Sequence, residues 1–335
     1  MRILMITTPL PTPTQPGTMA PVARQIESVR ALGAQVKVLE IRGVKKLKYL
    51  KALVCLRSFA TSVDLIHAHY GYCGWVARSQ VSKPVVVSFM GDDLLGTPDV
   101  TGRVRPFSRW LVQADRWLAR TVDAVIVKSA EMARVVVPVS AHIIPNGVDF
   151  RVFRPIDARA AKGLIGLADD KRYVLFPGRP EDPHKGFALA QAVVKEAARR
   201  ANEPLELTPL RGMAHDKVPL HMNACDAMVL TSFWEGSPNV VKEAMACNLP
   251  IVSVPVGDVP ELLADVDGCA VCPREVEPLV AALVKVLGRT QRTNGRVALE
   301  RKGLDLPSVA RKIMDVYVNV LTRRRYVRHS WHHRS

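Results

Sequence analysis

The chain has 335 residues, of which 48% are hydrophobic, so it can build the cores of two domains and is not a disordered protein. Its 47 Lys and Arg against 31 Asp and Glu leave a formal charge of +16, which attracts anions such as nucleic acid, an acidic membrane surface or a phosphorylated substrate. No run of about 18 apolar residues exists to span a bilayer, and six cysteines scattered through apolar runs suit reduced thiols in the cytoplasm.

Residues 2–8, RILMITT, read as a buried strand. A Pro-rich loop follows, then a helix over PVARQIESVRALGA and a second strand, QVKVLEI, which makes a βαβ unit. The opening apolar stretch is too short for a signal peptide. The first loop lacks G-x-G-x-x-G, which argues against a dinucleotide coenzyme. Gly17 stands just before the first helix. Residues 42–57 carry Arg42, Lys45, Lys46, Lys48, Lys51 and Arg57 with no acid, on a helical apolar spacing. Such a helix suits an anionic membrane surface as well as an ordinary solvated face. VDLIHAHY (63–70) is strand-like, with His69 near the carboxyl edge that lines ligand crevices in doubly wound sheets. PVVVSFMGDD (84–93) is a further strand, after which Asp92 and Asp93 can serve either as helix caps or as substrate contacts. Residues 103–121 mix Arg with Phe107, Trp110 and Trp117. Core packing is the first reading there, and a membrane interface is the alternative. VDAVIVKS is the last strand of the first half.

HIIPNGVDFRVFRP (142–155) reads as a strand, a turn and a Pro-bounded linker. The boundaries expected are therefore 1–149, 150–305 and a C-terminal helix with a frayed basic tail over 306–335. The second half opens with a strand and YVLFPGRPEDPHKGF. There Arg179 and Lys185, beside a glycine turn and a helix start, make a diphosphate clamp. Residues 204–232 hold a strand, a short helix and another strand. In FWEGSPNVVKEAMACNLPIVSVPVGDVPEL, Ser237 is expected to cap a helix whose first residue is Pro238. The N–H groups near Asn239 and Val240 then face a phosphate. Glu235 and Glu243 flank that helix start and suit the hydroxyls of a sugar and a ribose. Cys269-x2-Cys272 has no second pair and no nearby His, so no zinc site is expected.

The EGSPNVVKEAMACNLPIVSVPVGDVPEL segment resembles the E-x7-E region of retaining glycosyltransferases of family 4, and most of all the bacterial branch that builds exopolysaccharide, capsule or teichuronic acid. P-N-G-V-D (145–149) and G-R…K-G (178–186) resemble further motifs of that family. The resemblance implies a GT-B fold: two Rossmann-like doubly wound domains facing across a cleft, with the last helix crossing back to the first. It implies a metal-independent transfer, with no cofactor, from a nucleotide diphosphate sugar, UDP ahead of GDP. Configuration at the anomeric carbon would be retained. Gly17 would face the donor phosphates, Gly236, Ser237, Asn239 and Val240 would line the donor site, and Arg211 with the backbone near Val218 would lie by the base. Met90 stands where relatives carry a histidine, and Asp92 or Asp93 is the expected replacement. The acceptor expected is a saccharide or lipid-linked saccharide at the inner membrane face, with no nucleic acid partner. A sugar-nucleotide epimerase on the same fold and a basic nucleic-acid binder are the competing classes. No recognised nucleic-acid module is present to support the latter.

Overall fold

A computed structural model describes residues 1–335 except 13, 16, 45, 46, 98, 100–102, 212, 214, 215 and 333–335; of residues 325–332 it describes the backbone alone. Lys45 and Lys46 of the first basic stretch therefore lie outside the described residues. The chain forms two compact units, one from residues 1–147 together with the C-terminal helix, the other from residues 148–305.

In chain order the first unit contains β1 (Arg2–Thr7), α1 (Ala20–Ala31), β2 (Gln35–Glu40), α2 (Leu47–Ala60), β3 (Leu65–His69), α3 (Gly71–Arg78), β4 (Val85–Ser88), α4 (Asp92–Leu95), α5 (Pro106–Ala119), β5 (Ala124–Val127), α6 (Ala130–Val135) and β6 (His142–Ile143). The second contains α7 (Ala158–Ile165), β7 (Arg172–Phe176), α8 (Phe187–Ala201), β8 (Leu205–Pro209), α9 (Val218–Ala224), β9 (Ala227–Leu230), α10 (Asn239–Ala246), β10 (Ile251–Ser253), α11 (Val259–Leu263), β11 (Ala270–Val271), α12 (Val276–Leu287) and α13 (Gly295–Lys302). Helix α14 (Leu306–His332) returns to the first unit, where it packs on α1.

Both sheets are parallel. The first runs β2-β1-β3-β4-β5-β6 and the second β11-β10-β9-β7-β8. Helices cover both faces of such a sheet, so its central strands are apolar without alternation. Ile3 to Ile6, Val85 to Val87 and Val125 to Val127 are accordingly buried. In each sheet the chain reverses direction around one strand pair: β1 and β3 in the first, β7 and β9 in the second. Loops leaving the carboxyl ends of such a pair diverge and leave a crevice for ligand.

A chain of three polar groups inside the first unit ties α14 to the sheet. Tyr317, fully buried, lies with its hydroxyl 2.6 Å from His67 Nδ1, and His67 Nε2 lies 2.8 Å from Ser88 Oγ. Hydroxyls donate or accept, so both ring nitrogens are satisfied in either tautomer. Burial, with the neighbouring His69 and Lys128, holds the His67 pKa well below its ordinary value, so the ring is neutral.

Some elements depart from expectation. The basic C-terminal stretch was expected to be frayed, but its backbone is helical as far as His332, where α14 ends; residues 333–335 of that stretch lie outside the described residues. Helices α6 and α7 were not anticipated, although each begins at a side-chain cap, Ser129 Oγ accepting from Met132 N and Asp157 Oδ1 from Ala160 N. Helix α13 and the two-residue strand β11 were also not anticipated. Core packing is the wrong reading for the aromatic face of α5, because Phe107, Trp110 and Trp117 are exposed while Leu118 is buried.

Tyr317→Phe leaves a buried histidine nitrogen without its partner. The expected cost is about 1–3 kcal/mol of stability, read as a lower urea midpoint with an unchanged denaturant slope.

Candidate functional site

The crevice of the second sheet collects most of the anticipated residues. From β7 the chain passes through Pro177 and Gly178 to Arg179, which is exposed, and then into a single 3-10 turn at Pro183–Lys185 that Asp182 caps by accepting from His184 N. Gly186 follows in the left-handed region, with φ 68°. A Cβ there would stand 2.3 Å from the Thr231 carbonyl oxygen, so only glycine lets this loop lie against the end of β9. Thr231 Oγ1 donates toward the carbonyls of Lys185 and Gly186, both at 3.0 Å, and Phe233 N donates to His184 O at 2.9 Å. The loops after β7 and β9 are thus joined backbone to backbone.

That junction places Lys185 Nζ 2.6 Å from Glu235 Oε1, and Ser232 Oγ donates to the same oxygen at 2.8 Å. The His184 ring stacks on Trp234 at 4.1 Å between centroids, and its Nε2 donates to Trp234 O at 3.1 Å. Nε2 is also 3.6 Å from Glu235 Oε1, an electrostatic contact rather than a hydrogen bond. Burial works to raise the Glu235 pKa, but His184, Lys185 and Ser232 together outweigh it and hold the carboxyl at about 2. Glu235 is therefore a fixed acceptor. Lys185 has three N–H donors, one of which is directed to Glu235. Arg211 joins the same loop through Glu181, 2.7 Å away, with both side chains more than half exposed.

The helix start differs from expectation. Pro238, not Ser237, is the N-cap, with φ −68° and ψ 115°, and it provides no side-chain cap. Helix α10 begins at Asn239, so Asn239 and Val240 hold its first two positions. Ser237 Oγ instead accepts from Lys242 Nζ at 2.9 Å. Glu243 lies one turn inside the helix and is 7% exposed. Gly236 is pressed by the loop after β10: a Cβ on Gly257, itself at φ 54°, would stand 2.5 Å from Gly236 O and 2.7 Å from Glu235 O.

In the first unit, Gly17, His69 and Asp92 sit on three separate loops or strand ends at the carboxyl edge. Gly17 is exposed, and a Cβ there meets nothing within 4 Å, so no steric need for glycine exists. His69 is fully buried, 3.0 Å from Gln25 Nε2 of α1. Burial first, then Lys128, lowers its pKa to about 3. This contradicts a substrate-contacting role, because no surface of the ring is accessible. Asp93 accepts from Met90 N and Gly91 N at 2.9–3.0 Å and braces the loop before α4, whose N-cap, Gly91, has no side-chain cap; burial raises the Asp93 pKa to about 6, and Asp92, the first residue of α4, is exposed.

Three participants escaped the sequence reading. His184 and Trp234 are adjacent to singled-out residues but were not themselves marked. Lys242, 0% exposed inside V-V-K-E-A-M, is a lysine at a core position of an apolar helix, which is the signal that could have found it. The Asp258 carboxyl is pushed up by burial and drawn back by Lys242 and Ser237, so one buried network joins the loops after β9 and β10. Among the described residues no group of three or more His, Cys, Asp or Glu side chains is arranged to hold a metal ion.

Residues 15–152 match the family model described as Glycosyltransferase Family 4, and residues 171–289 the one described as Glycosyl transferases group 1. The D-inositol 3-phosphate glycosyltransferases of Mycobacterium tuberculosis and Mycobacterium bovis are 26% identical over 268 residues, which cover 70% of this chain and 56% of theirs. The chain thus spans little more than half the length of these relatives. Among solved structures, sucrose-phosphate synthase from Thermosynechococcus elongatus has a TM-score of 0.76 at 17% identity, covering 96% of this chain and 99% of that one. Anabaena HepE in complex with UDP and glucose has a TM-score of 0.71 at 20% identity, covering 95% and 100%. The two parallel-sheet α/β units are those of the GT-B glycosyltransferase fold.

The low Glu235 pKa carries a pH signature. Its folded value lies below the ordinary 4.5, so its stabilising contribution is complete above about 4.5 and is lost as the pH falls toward about 2. Urea unfolding of Glu235→Gln should therefore lose less stability than the parent across that window, and equal losses would contradict the assignment.

Proposed function

We propose that this protein is a retaining glycosyltransferase that moves a sugar from a nucleotide diphosphate sugar to a saccharide or lipid-linked acceptor in cell-surface polysaccharide synthesis. The observation that carries this reading is the meeting of Lys185 and Glu235 at the crevice of the second sheet. A cation and an ionised, immobile carboxylate side by side suit a ligand that presents phosphate and hydroxyls together.

In this reading Lys185, Arg179 and the first N–H groups of α10 at Asn239 and Val240 bind the diphosphate. Glu235 accepts from a hydroxyl of the sugar and Glu243 from the ribose, while Arg211 stands by the base. Gly236 and Ser237 form the floor between the two acids. The bond from the anomeric carbon to the diphosphate breaks, and the acceptor oxygen bonds on the same face. The acceptor's proton passes to the departing phosphate oxygen. Charge grows on that oxygen, so Arg179 and Lys185 act mainly by electrostatic stabilisation, and the crevice acts by positioning. No step needs a metal or a nucleophilic side chain. Asp92 is the acidic group at the acceptor side. The UDP complexes of HepE make UDP the first nucleotide to test here, ahead of GDP.

The acceptor lies at an anionic membrane surface in this proposal, with the protein peripheral on the cytoplasmic face. No helix among the described residues is long and apolar enough to cross a bilayer. Leu47, Leu50 and Val54 on α2 and Phe107, Trp110 and Trp117 on α5 are 56–69% exposed. Exposed Lys51 and Arg57 accompany the first set, and exposed Arg105 and Arg109 the second. Apolar side chains beside cations suit the boundary between headgroup and acyl chain.

Lys185→Ala and Glu243→Ala should each lower turnover of UDP-sugar by at least tenfold, about 1.4 kcal/mol or more of transition-state stabilisation, with circular dichroism unchanged; near-parental turnover in both would overturn the site. Sedimentation should show the protein with anionic vesicles and not with neutral ones, and Trp110→Ala with Trp117→Ala should weaken that binding.

A further inference from the structure

At the opposite, amino-terminal edge of the first sheet lies a cavity of about 170 Å³, lined by Arg78, Lys83, Arg120, Asp123 and Arg324 among others. It sits where α3 and α5 end and β4 and β5 begin. We propose that this cavity binds a phosphate monoester.

The geometry is that of a small anion site. Arg78 Nε donates to Thr121 O at 2.8 Å, which fixes one guanidinium on the wall. Arg324, from α14, donates to Asp123 Oδ1 through Nε at 2.9 Å and to Oδ2 through Nη2 at 3.3 Å, and Oδ2 also accepts from Val85 N at 2.8 Å. The single acid of the wall is thus already engaged twice. Among the described residues, the Lys83 and Arg120 side chains have no acidic partner.

Charge selects the ligand. Four cations face one carboxylate. The C-terminal ends of α3 and α5 each add the equivalent of about half a negative charge. The wall is left with roughly two positive charges, which matches a phosphate monoester near neutral pH, whose charge is about −1.5 to −2. The cavity is small, about 170 Å³ against the roughly 300–1,000 Å³ of pockets for drug-sized ligands, which suits a phosphate group better than a whole nucleotide sugar. Planar guanidinium forks favour phosphate over a spherical ion of equal charge. The site stands at the edge of the sheet opposite to Gly17, His69 and Asp92, so it is separate from the acceptor side.

The test uses the full chain and isothermal titration with inorganic phosphate, against chloride at matched ionic strength. Lys185→Ala serves as the control for binding at the second unit. We expect Lys185→Ala, in which the second unit's own phosphate contact is removed, still to bind phosphate, and the affinity of that variant to fall at least tenfold when Lys83→Ala and Arg120→Ala are added. Equal affinity after that addition, no phosphate binding by Lys185→Ala, or a response that chloride reproduces would each overturn the proposal. Vesicles of phosphatidic acid against phosphatidylglycerol separate the sources. A preference for phosphatidic acid that Lys83→Ala with Arg120→Ala removes identifies a lipid headgroup. Phosphate binding without that preference identifies a free phosphomonoester. Neither response rests on sugar transfer, so failure here leaves the proposed activity standing.

Discussion

The contact between Lys185 and Glu235 depends on two loops that can only meet because Gly186 has no side chain. Its left-handed backbone lets the end of the β7 loop lie on the Thr231 carbonyl, and the threonine hydroxyl then holds that loop from below. Gly257 makes a second close approach, against the carbonyls of Glu235 and Gly236. The carboxylate is therefore held between two loops by backbone packing. Its ionisation follows from three donors or cations converging on it in a buried place, where each interaction is stronger than in water.

The same logic of buried polar groups explains what the two units do with their other charged residues. Lys242 has no exposure, yet it reaches Ser237 and lies near Asp258, so its charge links loops after neighbouring strands. In the first unit, the His67 and His69 rings lie 4.3 Å apart, tilted by 33°, and are kept neutral by burial. There the polar network joins β3 and β4 to Tyr317 on the last helix. Buried polar groups that find partners specify one arrangement. In the second unit the arrangement specified is the junction of the loops after β9 and β10, and in the first it is the attachment of α14.

Much of this was legible in the residues. Apolar runs such as VVVS and AVIV have no alternation and read directly as strands buried on both faces. P-G-R and H-K-G read as turns beside cations, and E-G-S-P marked the second loop. Less legible was whether a given polar residue faces in or out. His69 stands at the correct strand end, but α1 covers it, and that packing is made by Gln25, 44 residues earlier. Ser237 has the chemistry of a helix cap, but a buried lysine five residues later competes for its oxygen. The face of α5 was misread because its tryptophans suit a core and an interface equally. Burial there is decided by which helices pack over them, and periodicity does not report that.

The most direct test of the central claim is amide hydrogen exchange of the full chain with and without UDP. If the crevice between β7 and β9 grips a pyrophosphate, slowed exchange should concentrate in residues 178–187 and 231–243, the two loops and the start of α10. Unchanged exchange in both segments at a UDP concentration that raises the melting temperature would contradict it.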